Sequence, residues 1–228
     1  MVGNDIIDLH HFESPPYHAL GYLERVTVPL ECNVVRRSRD QVATLSTIWA
    51  AKEAAFKLLF KEGFTAHFLP RQFEVTLSTE PLLPESVATV AHGSRVIHIR
   101  VRRTHEWVHA IATPRSSHLT SSVVEEIHGN NSHVPSPLEE SLAARRIGKR
   151  LLNSLGEPRV VLAYSGRVPF LALANGTAAD LDISFSHHGR FAAAVAASPE
   201  AQLADHSILI GHSRTFPAVE ESCCTCMV

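Results

Sequence analysis

Between Pro114 and Ser136 the periodic apolar pattern stops, and Ser, Asn, His, Gly and Pro take over. That is the composition of a connecting segment rather than of a packed element. A chain of 228 residues can bury one larger core or two small ones, and a break at this place points to two. We expect a lobe over residues 1–113, a linker over 114–138 and a second lobe over 139–198. Residues 199–228 are aperiodic, end in the cluster Cys223, Cys224 and Cys226, and are expected as a loosely ordered tail. With 45% hydrophobic and 19% charged residues, disordered and fibrous architectures are excluded.

Charge narrows the function classes. Twenty-one Lys and Arg against 23 Asp and Glu leave a formal net charge of -2, so no global positive field draws the chain to nucleic acid or to an anionic membrane. An anionic ligand must be held by a local patch. No apolar run approaches the roughly 18–20 residues of a membrane span, and Met1 to Leu9 carries Asp5 and Asp8 without a basic cluster. Cys32 stands alone and the other cysteines crowd the C-terminus, which lays out neither a disulfide framework nor a CxxC pair. The last four residues begin with Thr225, so the prenylation pattern fails. These features suggest a soluble, cytoplasmic protein with no nucleic-acid or membrane partner.

In the first part, Asp40 to Phe60 reads as a helix, with Leu45, Ile48, Trp49, Ala55, Phe56 and Leu59 on one arc and Gly63 as its stop. Val96 to Val101 alternates, and Trp107 to Ala112 is a second apolar stretch, together resembling paired antiparallel strands. In the second part, Ser136-Pro137-Leu138-Glu139 has the form of a capping box, opening a helix whose stripe is Leu138, Leu142, Ile147, Leu151 and Leu155. Asp180 to Ser186 alternates again, Leu181, Ile183 and Phe185 against Asp182, Ser184 and Ser186. A weak internal repeat lays His105–Ala112 on Gly189–Ala196, Trp107 on Phe191. The expected class is α+β: two similar lobes, each a small antiparallel sheet packed on a long helix.

Two constellations carry chemistry. His105-Glu-Trp-Val-His109 matches HExxH, which binds zinc when helical spacing stacks its two imidazoles. Here the flanks are strand-like, and in a strand residues four apart lie about 13 Å from each other, too far to share one ion. Two histidines on a half-exposed strand are expected instead of a zinc hydrolase. The second constellation is spread along the chain: Gly3-Asn-Asp5, Trp49-Ala-Ala-Lys52-Glu53-Ala-Ala-Phe-Lys57, and Ser184-Phe-Ser186-His187-His188-Gly189. It offers two carboxylates, Asp5 and Glu53, for a divalent cation, and cations plus a histidine for phosphates. On a helical wheel Glu53 and Lys57 share a flank, while Lys52 points into the apolar arc. Without further context Glu53 and Lys57 are equally an ordinary i,i+4 pair contributing about 0.3–0.5 kcal/mol, with Lys52 snorkelling.

At these residues the sequence resembles the 4'-phosphopantetheinyl transferase superfamily, whose hallmarks are GxD on a first strand, a helix bearing WxxKEAxxK, and a serine-histidine segment on another strand. The motif order, GxD and KEA before Gly166-Arg167-Val168-Pro169 and Ser186-His187, is similar to a circular permutation of the long, two-lobed surfactin-synthetase type. The resemblance implies a monomeric pseudodimer with its site between lobes, and transfer of the phosphopantetheine arm of coenzyme A to a serine of an apo acyl or peptidyl carrier protein, releasing adenosine 3',5'-bisphosphate. It implies Mg2+ on Asp5 and Glu53, Glu53 or a metal-bound water as base, and Lys57 against charge on the leaving phosphate. His187 and Ser186 would meet coenzyme A, with Arg167, Lys52, Arg145, Arg146 and Lys149 as further phosphate contacts. Where long members carry a second acid, this chain has Ile7 and then Asp8, so the third metal ligand is Asp8 or water. The alternatives are a non-catalytic coenzyme A or carrier-protein binding paralogue and, further off, the zinc hydrolase.

Overall fold

A computed structural model describes residues 1–12, 21–78, 82–115, 120–127, 136–157, 160–165, 168–173, 175, 177 and 179–198. The chain opens with β1 (Gly3–Asp8), then α1 (Leu9–Phe12), α2 (Tyr22–Val26), α3 (Pro29–Arg37) and α4 (Gln41–Lys61). The strands β2 (Glu74–Leu77), β3 (Glu85–His92), β4 (Arg95–Arg103) and β5 (Trp107–Thr113) follow. They join β1 in a five-stranded sheet of order β1-β5-β4-β3-β2 with antiparallel neighbours. The second lobe runs β6 (Thr120–Glu126), α5 (Pro137–Ser154), β7 (Val160–Ser165), β8 (Val168–Leu173), β9 (Asp182–His188) and β10 (Phe191–Ala197). Its sheet has the order β6-β10-β9, with β7 and β8 forming a separate hairpin. The architecture is α+β, as expected, and no helix among the described residues is long and apolar enough to cross a membrane.

Local signals explain the long helices. Asp40 accepts a hydrogen bond from the Ala43 amide at 2.9 Å and so caps α4, while Gly63, at φ 96°, follows its end. Ser136 and Glu139 form the reciprocal capping box that opens α5.

The 114–138 stretch is not only a connector. Residues 120–126 form β6, which pairs with β10 along its whole length. The strand was hidden because Thr-Ser-Ser-Val-Val-Glu-Glu is a polar edge strand, in which Val123 alone is buried. Its presence completes a repeat. Each lobe runs strand, helix, two strands, then a hairpin whose last strand is the middle of the resulting β1-β5-β4 or β6-β10-β9 order. With Trp107 laid on Phe191, Ala110 falls on Ala194, and their partners on the first strands are Asp5 and Val123. Only the first lobe therefore keeps an acid at that place.

Alternation along the strands builds the layers. Ile7, Val108, Ala110, Ala112, Ile97, Ile99 and Val101 pack with the α4 residues Ile48, Ala51, Ala54, Ala55 and Leu58. Val123, Ala192, Ala194 and Ala196 pack with Ala144, Ile147 and Leu151 of α5. The opposite strand faces meet each other: Val2 and Ile111 with Val195 and Ala197, and Ile6 and Trp107 with Phe191, Ala193 and Val124. The two sheets thus lie between α4 and α5.

A row of side-chain bonds registers the lobes. The amides of Val2, Asn4 and Asp8 donate to Asp182 Oδ2, Ser184 Oγ and His188 Nδ1 at 2.6, 3.1 and 3.1 Å. Lys61 of α4 adds bonds to Val2 O and Asp182 Oδ1, both at 3.0 Å, and to Ile183 O. At the other end Arg190 clasps Asp8, Nε to Oδ2 at 2.9 Å and Nη2 to Oδ1 at 3.0 Å.

Glycine sets the helix-to-strand spacing in both lobes. A Cβ on Gly3 would lie 2.1 Å from Ala54 O and 2.7 Å from Leu58 N, and one on Gly148 would lie 2.2 Å from the Phe185 ring. The Gly3 contact is with backbone, which cannot rotate away. Gly3→Ala is expected to lower unfolding free energy by about 1–3 kcal/mol, measured by urea denaturation, with wild-type stability as the contrary result.

Candidate active site

Side chains of β1 alternate, so Gly3, Asp5 and Ile7 share the face toward α4. Glu53 and Lys57 stand one helical turn apart on α4. The Lys57 ammonium lies 2.8 Å from Asp5 Oδ1 and 4.0 Å from Glu53 Oε2. The Asp5 side chain is 8% exposed, against 30% for Glu53 and 32% for Lys57, so the cluster reaches solvent from the helix side.

Burial shapes its electrostatics. It raises the Glu53 carboxyl, the negative charge of Asp5 raises it further, and Lys57 offsets only part, leaving it at about 7. For Lys57 burial acts downward, but the two carboxylates outweigh it and hold the ammonium above its ordinary value. Among the described residues no group of three or more His, Cys, Asp or Glu is placed to hold a metal ion. Asp5 and Glu53 are nonetheless hard oxygen donors, and one or two carboxylates completed by phosphate and water is how Mg2+ is usually bound. The donor chemistry fits that ion.

Other sequence candidates lie elsewhere. Asp8, a candidate third ligand, is bound by both guanidinium contacts of Arg190 and by the Arg190 amide at 3.0 Å. Burial pushes its carboxyl up, and Arg190 more than reverses this, so it sits below the ordinary range. It belongs to the lobe junction. Lys52, a candidate phosphate contact, is fully buried, and its three N–H donors are taken by Glu31 Oε2 at 2.6 Å and by the carbonyls of Val26 and Pro70, both at 3.0 Å. Desolvation lowers its pKa against the pull of Glu31. The helical wheel, which turned Lys52 inward, is followed; a phosphate role would need that pairing broken.

Ser186 is buried, its Oγ accepting from Asn4 Nδ2 at 2.9 Å. His187 faces the α5 side and touches Glu140 Oε2 with Nδ1 at 2.9 Å. On α5, Arg145 stands over the Tyr164 ring at 5.2 Å, while Arg146 and Lys149 are exposed. Arg167 lies outside the described residues, as do residues 199–228.

The HEWVH segment is not helical: His105 is in the turn before β5, and His109 is on β5. His109 is fully buried rather than half-exposed, with Nε2 3.1 Å from Asn4 Nδ2, and burial, with Arg102 and Lys57 adding to it, lowers its pKa to about 3. Sequence reasoning missed Glu31, Lys61, Asp182, Arg190 and Glu140. The one available signal was parity along 182–188, where the even positions Asp182, Ser184, Ser186 and His188 are all polar.

Because Glu53 is held near 7 against an ordinary 4.5, the folded state favours its protonated form. Its stabilising contribution is complete below about pH 4.5 and is lost as pH rises through about 7. Metal-free protein is therefore expected to lose thermal stability across this window, and Glu53→Gln to lose less, melting at least roughly 3 °C higher at about pH 8. A variant melting at or below wild type there contradicts this.

Residues 1–112 match the profile of the 4'-phosphopantetheinyl transferase superfamily. Among curated proteins none matches the chain. The matched region holds Gly3, Asp5 and the whole Trp49–Lys57 segment, from which the fold brings Asp5, Glu53 and Lys57 together, and over these residues the chain is similar to the 4'-phosphopantetheinyl transferase superfamily.

Proposed function

We propose that the protein transfers the 4'-phosphopantetheine arm of coenzyme A to a serine of an apo acyl or peptidyl carrier protein, releasing adenosine 3',5'-bisphosphate. The supporting observation is the Asp5–Glu53–Lys57 cluster inside the family-matched region. Mg2+ held by Asp5 and Glu53 would neutralise charge on the pyrophosphate. The carrier serine Oγ attacks the phosphorus bearing the pantetheine arm, and an Oγ–P bond forms as the P–O bond to the bisphosphate breaks. Glu53, or a water on the metal, would take the serine proton. The leaving oxygen keeps the electron pair, and the Lys57 ammonium meets its charge.

His187 is assigned to a coenzyme A phosphate, with Arg146, Lys149, Arg145 and Arg167 as further cations and Glu140 to be displaced from, or shared with, the imidazole. One chain supplies both lobes, which supports a monomeric pseudodimer, and the cysteine usage of the sequence is the ground for placing it in the cytoplasm.

Incubation with coenzyme A, Mg2+ and a panel of apo acyl and peptidyl carrier proteins is expected to add one phosphopantetheine to a carrier, read as intact mass. EDTA should abolish the gain, and Glu53→Gln should slow it by roughly 100-fold or more. Coenzyme A binding without transfer to any carrier would instead identify a binding paralogue.

A further inference from the structure

Helix α4 sends three lysines to three carboxylates on three different elements, and their surroundings differ. Lys52 meets Glu31 of α3 and two carbonyls in a fully buried site. Lys61 meets Asp182 of β9 and the carbonyls of Val2 and Ile183, with 6% of its side chain exposed. In both, the three ammonium protons are matched by fixed acceptors. Among the described residues Lys57 has one close acceptor, Asp5 Oδ1, with Glu53 at 4.0 Å and no backbone carbonyl, and it is 32% exposed. Of the three, Lys57 alone can leave without stranding buried carbonyls.

Charge gives it cause to leave. With both carboxylates ionised the cluster carries one net negative charge, compensated by an ammonium sitting against Asp5. A divalent cation added to the same carboxylates meets that ammonium at close range, where like charges in a partly desolvated site repel far more strongly than in bulk water. The lysine stem is long and rotatable, and its open side gives it a path.

We propose that Lys57 is an exchangeable counter-ion: its ammonium holds Asp5 and screens the carboxylate pair until a divalent cation replaces it, and the displaced ammonium is thereby delivered to the phosphate. The phosphate's identity rests on the transferase function; the exchange itself rests only on the two carboxylates and the ammonium.

The test is Mn2+ affinity of the full chain without coenzyme A, by calorimetry or electron paramagnetic resonance. Wild type is expected to bind weakly. Lys57→Met should bind Mn2+ roughly tenfold or more tightly, while Lys57→Arg, which keeps the charge, should stay at the wild-type level. Lys57→Gln serves as a second neutral variant should Lys57→Met fail to fold, as judged by circular dichroism. Neutral variants that bind Mn2+ no tighter than wild type, or an arginine variant that matches them, overturn the proposal. Tighter Mn2+ in Lys57→Met alongside a wild type that loads no carrier would uphold the exchange and remove the transferase function; carrier loading without tighter Mn2+ would do the reverse.

Discussion

Strand β1 is the constraint on which the rest depends. All six of its residues are buried: α4 presses on one side, β5 pairs along one edge, and the second lobe closes what remains. An edge strand in that position leaves amides that must be satisfied or will recruit another chain. The chain answers with side chains rather than a further ladder. Asp182, Ser184 and His188 receive the amides of Val2, Asn4 and Asp8 in step, and a slip of one residue would turn their even-numbered polar set toward α5. The carboxylate of Asp5 is thereby located from two directions, by a helix contact that admits no Cβ and by a register shared with the other lobe.

A nearly neutral chain still buries a good deal of charge, and it does so pairwise. Removing one partner of a buried pair is far more costly than the pair itself is stabilising, so Lys52–Glu31 and Lys61–Asp182 specify where α3 and the second lobe must dock on α4. Their acceptors are complete. The Asp5–Glu53–Lys57 group is built differently, with two acids to one cation and an opening to solvent, and burial together with the charge of Asp5 holds the Glu53 carboxyl near 7. Incomplete neutralisation at one place in an otherwise matched set separates a chemical site from structural ion pairs of the same composition.

How much of this could be read beforehand depended on the range of the interaction. The bounds of α4 and α5, with Asp40 and Ser136 as caps, follow from local signals and were legible. So was the Glu53–Lys57 flank, because helical spacing places it. Lys52 shows the limit: periodicity turned it inward, and only Glu31, 21 residues away, says what holds it there. Asp8 was, with water, an alternative third metal ligand implied by the resemblance, and Arg190 holds it across 182 residues. Strand β6 was illegible because five of its seven residues are Ser, Thr or Glu on a sheet edge, and its pairing with β10 carries the information that its composition lacks.

That hidden strand bears on why the fold has one such site and not two. The repeat gives each lobe a first strand, a helix across it and a hairpin beside it, so two equivalent positions exist. In the first lobe the position holds Asp5 with glycine on the strand two residues earlier; in the second it holds Val123, and the glycine is on the helix, where Gly148 admits the Phe185 ring. Apolar filling has closed the second position, and the strand next in space to β1 has taken another task, binding the first lobe with its even face while its odd face carries His187 to Glu140. Two copies of one unit have thus divided the work: one holds the carboxylates, and the other fixes the strand on which their geometry depends.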